Sequence, residues 1–282
     1  MTRLIGLFVT LFATLTSAQA APLWIERKFI PAPELVAPQF AEFAETQTRA
    51  VDHSAWGAFL ARYGSEGPDG INRIGYSTVS AEDRQALRAY IDALQATDTR
   101  ILTKDQQLSF WINLYNAVTV DMILENYPTK SIRKIKKPWD TPLVTVLGQD
   151  LSLGQIEHHI VRAIWPDPRI HYALNCAALG CPNLALTPYT AATLEDMLET
   201  GAKAYVNHPR GAALDGSKLT ISKIYGWYRE DFGTVDDVLA HIRSYADQPL
   251  AEALANITNV KAYAYDWNLN EGSVPVGGRI VR

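Results

Sequence analysis

The sequence is poor in cysteine, with two in 282 residues. So sparse a pair cannot form a mesh of cross-links, and a packed core must carry the stability. Basic residues are not in excess either. Lys and Arg number 26 against 30 Asp and Glu, a formal net charge of −4. A nucleic-acid partner wants a basic stripe, and the one short basic run, IRKIKK from Ile132 to Lys137, reads as a solvated face or loop. Beyond residue 15 no apolar stretch reaches the length of a membrane span. Internal repeats, low-complexity tracts and long linkers are all absent. So are the P-loop, the G-x-S-x-G elbow, the dinucleotide glycine fingerprint and the H-E-x-x-H zinc helix. Glu157-His158-His159 is not a metal cluster, because consecutive helical residues point in different directions. No cofactor and no metal are implied.

What is present begins with a leader. Arg3 supplies a positive start, Leu4 to Leu15 (LIGLFVTLFATL) an apolar segment, and Ala18-Gln19-Ala20 a small-residue cleavage signal. That pattern is a secretory signal peptide over residues 1–20, with a mature chain from Ala21 and a periplasmic or secreted location. Hydrophobic residues make up 48% and charged ones 20%, which is globular composition with enough apolar side chains for a real core. A lead-in over 21–50 carries Pro22, Pro31, Pro33 and Pro38. One globular domain is expected over 51–282.

Periodicity makes that domain rich in helices. Ala81 to Ala96 places Leu87, Tyr90, Ile91 and Leu94 at helical spacing behind Ser80 as N-cap. Thr103 with Gln106 forms a capping box that opens a helix running to Tyr127, before Pro128. This helix is apolar on most sides, the mark of a central, nearly all-buried element. A second capping box, Ser152 with Gln155, opens LGQIEHHIVRAIW. RIHYALN alternates like a strand, KLTIS and VKAYAYDW read as further strands, and KIYGWYREDF reads as one helix. The predicted class is a helix-rich α+β single domain around a small antiparallel or mixed sheet.

Some polar residues sit where apolar ones belong. Asn113 and Asn116 are three apart on the central helix, and a buried amide without partners costs about 1–3 kcal/mol. They either pin neighbouring loops or line a polar pocket with Tyr115 or Trp111. Glu157 falls within the apolar stripe of its helix, formed by Leu153, Ile156, Ile160 and Ile164. It is either a structural ion pair or a perturbed functional acid. His158 and Arg162 fall on another face and read as solvated. His171, on the expected strand, is an oriented base or a satisfied core histidine. Cys176 and Cys181 bracket a turn containing Gly180. A disulfide there would stabilise the fold by about 2 kcal/mol. A thiolate at Cys176 beside His171, with Glu157 or an Asn orienting the imidazole, would instead be a nucleophile. The two options exclude each other, and inert thiols are a third.

Four blocks in order carry a resemblance: FWINLYNAVTV, LSLGQIEHHIVR, DPRIHYALNCAALGCPNL and LTISKIYGWYREDFG. They resemble the domain of unknown function 547 family over roughly Leu108 to Phe232, with weaker likeness to YDWNLN, and the chain looks like an exported bacterial member. No settled activity comes with that family. The resemblance implies functional weight at Asn113, Tyr115, Asn116, Glu157, His158, His171, Cys176 and Cys181. A looser likeness links the central helix and the later histidine to papain and transglutaminase folds. Those folds put the nucleophilic cysteine at the start of that helix, where this chain has Ser109 or Asn113. The leading expectation is an exported hydrolase or amide-processing enzyme using Cys176, His171 and Glu157 as nucleophile, base and orienter. Asn113, Tyr115, Asn116 and His158 would bind a small molecule or peptide. Its rival is a non-catalytic ligand-binding or envelope-assembly domain with a Cys176–Cys181 disulfide.

Overall fold

The structure, a computed structural model, describes residues 22–46 and 50–272. The expected leader, its cleavage point and the final ten residues of the expected domain lie outside the described residues.

A helix, not a sheet, forms the centre. Lys104–Glu125 opens on the expected capping box: Gln106 N–H donates to Thr103 Oγ1, and Thr103 N–H donates to Gln106 Oε1 at 3.0 Å. From Gln106 to Leu124 only Asp121 escapes burial. Phe110, Trp111, Ile112 and Leu114 are each fully enclosed, and each contributes about 1.5–3 kcal/mol by leaving water. Covering such a helix on all sides requires neighbours on all sides, which is why the chain wraps around it. Ala81–Gln95 packs on one flank through Leu87, Tyr90, Ile91 and Leu94, with Ser80 capping as expected. Asp121, the one polar exit, takes Arg84 and Arg88 from that neighbour.

A second core gathers Leu194–Val206, Val235–Tyr245 and a three-stranded sheet. Ala212–Asp215 runs antiparallel to Lys218–Ser222, which pairs in parallel with Ala262–Ala264. Two antiparallel pairs stand apart from it, Gly64–Glu66 with Asn72–Ile74 and Val144–Val146 with Gln149–Leu151. The fold is a helix-rich α+β domain whose strands, among the described residues, are dealt into three small sheets.

Three local departures from expectation matter for function. RIHYALN is no strand: Pro168–Tyr172 is a 3-10 helix, begun by Asp167, whose carboxylate accepts from Arg169 N–H. Residues 170–175 are all buried, so alternation there marked no solvent face. KIYGWYREDF is two short helices, Ile224–Trp227 and Arg229–Phe232, broken at Tyr228. Finally, LGQIEHHIVRAI is α-helical at Leu153–Ile156 and Arg162–Ile164 but widens into a π turn at Glu157–Val161. A wider turn shifts every later residue of the helix by about one position, roughly 100° around the axis. Ile164 is consequently only half-buried, while Arg162 and Trp165 go inside.

The lead-in is part of the fold. Phe40 is fully buried, with its ring edge-on to Trp111 at 5.4 Å. Val36 N–H reaches His159 O at 3.0 Å and Ala44 N–H reaches Leu102 O at 2.9 Å.

Candidate functional site

A cavity of about 630 Å³ opens where the two cores meet. Its walls come from the central helix, the π turn, the 168–176 turn, the cysteine loop, the 224–228 segment and Tyr265–Trp267. Ile25 to Pro31 of the lead-in closes one side.

Glu157 stands in the wall and is 6% exposed. Tyr115 donates to its Oε2 at 2.9 Å and Tyr228 to its Oε1 at 2.5 Å. Burial pushes the carboxyl's pKa up; the His158 and His171 imidazoles and the two hydroxyls outweigh that and leave it below its ordinary value. Both tyrosines are driven well above their ordinary range, chiefly by burial and then by the Glu157 charge. They are therefore neutral donors to an anion at neutral pH.

Beside this acid lies a linked group of four side chains. Arg162, with a side chain 1% exposed, grips Asp231 in two bonds, Nε to Oδ2 at 2.6 Å and Nη2 to Oδ1 at 3.0 Å. Its Nη1 donates to Pro31 O at 2.7 Å and to His158 Nδ1 at 3.1 Å. His171 Nε2 donates to Asp231 Oδ2 at 2.6 Å, and its ring stacks on Tyr228 at 3.9 Å between centroids. Asp231 is lowered to about 2: burial opposes this, but the bonds from His171 and Arg162 prevail. Burial lowers His158 to about 4, so its ring is neutral near pH 7. The expected orienter of His171 was Glu157; the carboxylate that holds it is Asp231. His158 and Arg162, expected in solvent, are both buried: Arg162 follows the π turn, which rotates it inward, and His158 lies within the turn.

Cys176 and Cys181 are joined in a disulfide with Cα atoms 6.3 Å apart, and both line the cavity. The Tyr265 hydroxyl lies 3.1 Å from Cys176 Sγ and 3.0 Å from Cys181 Sγ, and Cys176 N–H points at Cys181 Sγ at 3.0 Å. Asn175 shapes the loop. Its Oδ1 accepts from Ala177 N–H at 2.8 Å, holding Ala177 at φ 57°, and its Nδ2 donates to Pro182 O at 2.8 Å. A side chain in this left-handed region costs about 1–2 kcal/mol, which the Asn175 bonds offset.

The central-helix amides lie outside the cavity wall. Asn113 donates to Tyr189 O at 2.7 Å and accepts from Tyr189 N–H at 3.0 Å. Asn116 donates to Ala173 O at 2.9 Å and accepts from Asn175 N–H at 2.8 Å. Each clamps a buried loop. Tyr115, Glu157, His158, His171, Cys176 and Cys181 thus share one cavity, and Asn113 and Asn116 hold its scaffold. Sequence reasoning passed over Asp231, Tyr228 and Tyr265. Asp231 is an acid in a short charged run, indistinguishable in sequence from a solvated residue; the tyrosines stood in the blocks GWYREDF and YDWNLN, where nothing tied them to Glu157. Among the described residues no group of three or more His, Cys, Asp or Glu is disposed to hold a metal ion, and no helix is long and apolar enough to cross a membrane.

A helix-centred α+β domain with a buried carboxylate, an Asp–His pair and a disulfide around one pocket is the class that fold and site define. Residues 99–206 match the model of the family described as "Protein of unknown function, DUF547". The matched segment carries every residue of the resemblance from Asn113 to Cys181 and ends at Val206, short of the expected Phe232, so Tyr228, Asp231 and Tyr265 lie beyond it. No curated protein and no solved structure matches the chain.

Proposed function

We propose that the chain is a ligand-binding domain that holds a small molecule or short peptide in this cavity, with the bridged cysteines as part of its wall. The observation that carries the proposal is the cavity itself: about 630 Å³, within the usual size of small-molecule sites, walled by aromatic rings and reached by a few convergent polar groups. The bridge ties up the sulfur that a thiol nucleophile would need, which favours binding over covalent catalysis. A melting screen of the untreated protein against small metabolites and di- and tripeptides tests this. A hit that raises Tm, and that is lost on filling the cavity with Leu174→Trp, supports the proposal. No hit across the screen, together with unchanged melting in that variant, refutes it.

One observation favours a second reading, a cysteine-dependent hydrolase or amide-processing enzyme in the reduced state. His171 is held by a carboxylate in the cavity that Cys176 lines, the base-and-orienter arrangement that nucleophilic sites use. Here the roles are Cys176 as nucleophile, His171 as base and Asp231 as orienter, with Glu157 at the substrate. Reduction by a dithiol would have to precede turnover. If the untreated protein is two hydrogens lighter than its sequence mass, resists alkylation and gains no amidase or esterase activity with a dithiol, this reading fails. Export to an oxidising compartment is also a proposal, resting on the leader pattern; the N-terminal residue of protein recovered from cell fractions tests it.

A further inference from the structure

We infer that the pocket takes a ligand bearing a positively charged organic group, an alkylammonium, seated against Glu157 among the aromatic rings of the wall. The inference rests on the binding proposal and names the chemistry of the ligand.

Charge balance leads to it. Glu157 is enclosed, and both its oxygens are held by tyrosyl hydroxyls. Hydroxyls stabilise an anion but do not neutralise it, and a buried charge calls for a counter-charge. The fixed cation of the adjoining cluster, Arg162, is committed to Asp231 through two bonds. Within this cluster one guanidinium stands beside two carboxylates. The neighbouring imidazoles are engaged as well: His158 accepts from Arg162, and His171 donates to Asp231. At the cavity margin Lys223 pairs with Glu26 at 2.7 Å. Arg133 and Asp140 also line the cavity, a cation and an anion that cancel in the count, and Arg133 sits over the Trp267 ring, 5.3 Å from its centroid.

The walls point the same way. Trp139, Trp227, Trp267, Tyr228 and Tyr265 all face the cavity. Aromatic faces carry negative potential, and desolvated cations gain most from them. The protein already uses these rings so: besides Arg133 on Trp267, the Arg162 guanidinium lies 5.2 Å from the Tyr228 ring. An anionic ligand seated there would meet the Glu157 field, and a neutral apolar one would bring Glu157 no added counter-charge. An alkylammonium satisfies acid and rings together.

The test uses the full chain with its disulfide intact, and the emission of its tryptophans, three of which line the cavity. The probes are choline, its neutral isostere 3,3-dimethylbutan-1-ol, and acetate, at constant ionic strength. Choline should bind about tenfold more tightly than the isostere, with acetate weakest, and Glu157→Gln should bring choline down to the isostere's level. Should that variant fail to fold, Trp267→Leu takes its place and should weaken choline several-fold. Equal binding of choline and the isostere, or an undiminished preference for choline in the variants, overturns the inference while leaving a binding pocket in place. Silence from all three probes also overturns it, and the melting screen then decides separately whether the pocket binds anything.

Discussion

Replacing Asn113 or Asn116 by alanine separates scaffold from site. Each amide makes two bonds to buried backbone, Asn113 to both polar groups of Tyr189 and Asn116 to Ala173 O and Asn175 N–H. Truncation strands one donor and one acceptor where water has little access, at about 1–3 kcal/mol each. Loops relax partly, so the expected loss is about 3 kcal/mol per variant, a large share of a typical 5–15 kcal/mol stability. For a domain of this size that lowers Tm by about 6–12 °C. The measurement is urea and thermal unfolding of both variants beside the parent. Asn116→Ala should also loosen the turn that carries His171 and Cys176, and so speed reduction of the disulfide. Asn113→Ala, whose partner loop lies past the cysteines, should destabilise without that effect. If both variants keep their stability within about 0.5 kcal/mol and lose ligand instead, these amides are binding residues and the clamp argument is wrong.

Other perturbations act on the same geometry. Asp231→Asn leaves the Arg162 charge buried without its partner and should cost about 3–5 kcal/mol, read by urea unfolding; a change below 1 kcal/mol would contradict the pairing. His53, His158 and His241 are each lowered by burial to about 4 from an ordinary 6.5. Between those values the unfolded chain binds more protons than the folded one. Stability is therefore full above pH 6.5 and falls as pH drops toward 4, by about 1.4 kcal/mol per pH unit for each histidine; a flat profile from pH 7 to 5 would refute this. Reducing the Cys176–Cys181 bridge should cost about 2 kcal/mol on the chain-entropy account, measured as paired unfolding curves with and without a dithiol. Gly154→Ala would put a methyl 2.8 Å from Trp139 O and displace that pocket wall, so it should reduce ligand binding more than its modest helix propensity gain would suggest; unaltered binding would count against Trp139 as a wall.

Local features were readable in the sequence because their causes are local. Thr103 and Ser152 cap helices through residues three positions away, and both boxes form. The central helix announced its burial by lacking a polar face, and Glu157 stood out by interrupting a stripe. Non-local features were silent. Asp231 reaches His171 across 60 residues, a separation at which one sequence records no pairing. Alternation misread residues 170–175 because a segment buried on every side has no face to alternate against. The π turn escaped a period of 3.6, and with it went the inward rotation of Arg162. The sequence shows that the Asn amides need partners, but not whether a distant loop or a ligand supplies them, because Tyr189 and Ala173 lie 76 and 57 residues away.

That widened turn has a consequence for how the chain tolerates change in length. Deleting His159, the residue of the turn that is only half-buried, would yield a more regular helix and remove no apolar side chain. It would also swing the guanidinium away from Asp231 and release His171 from its holder. The spacing of those five residues, as well as the identity of His158, keeps the ionic cluster assembled, so this deletion should abolish function in a protein that still folds.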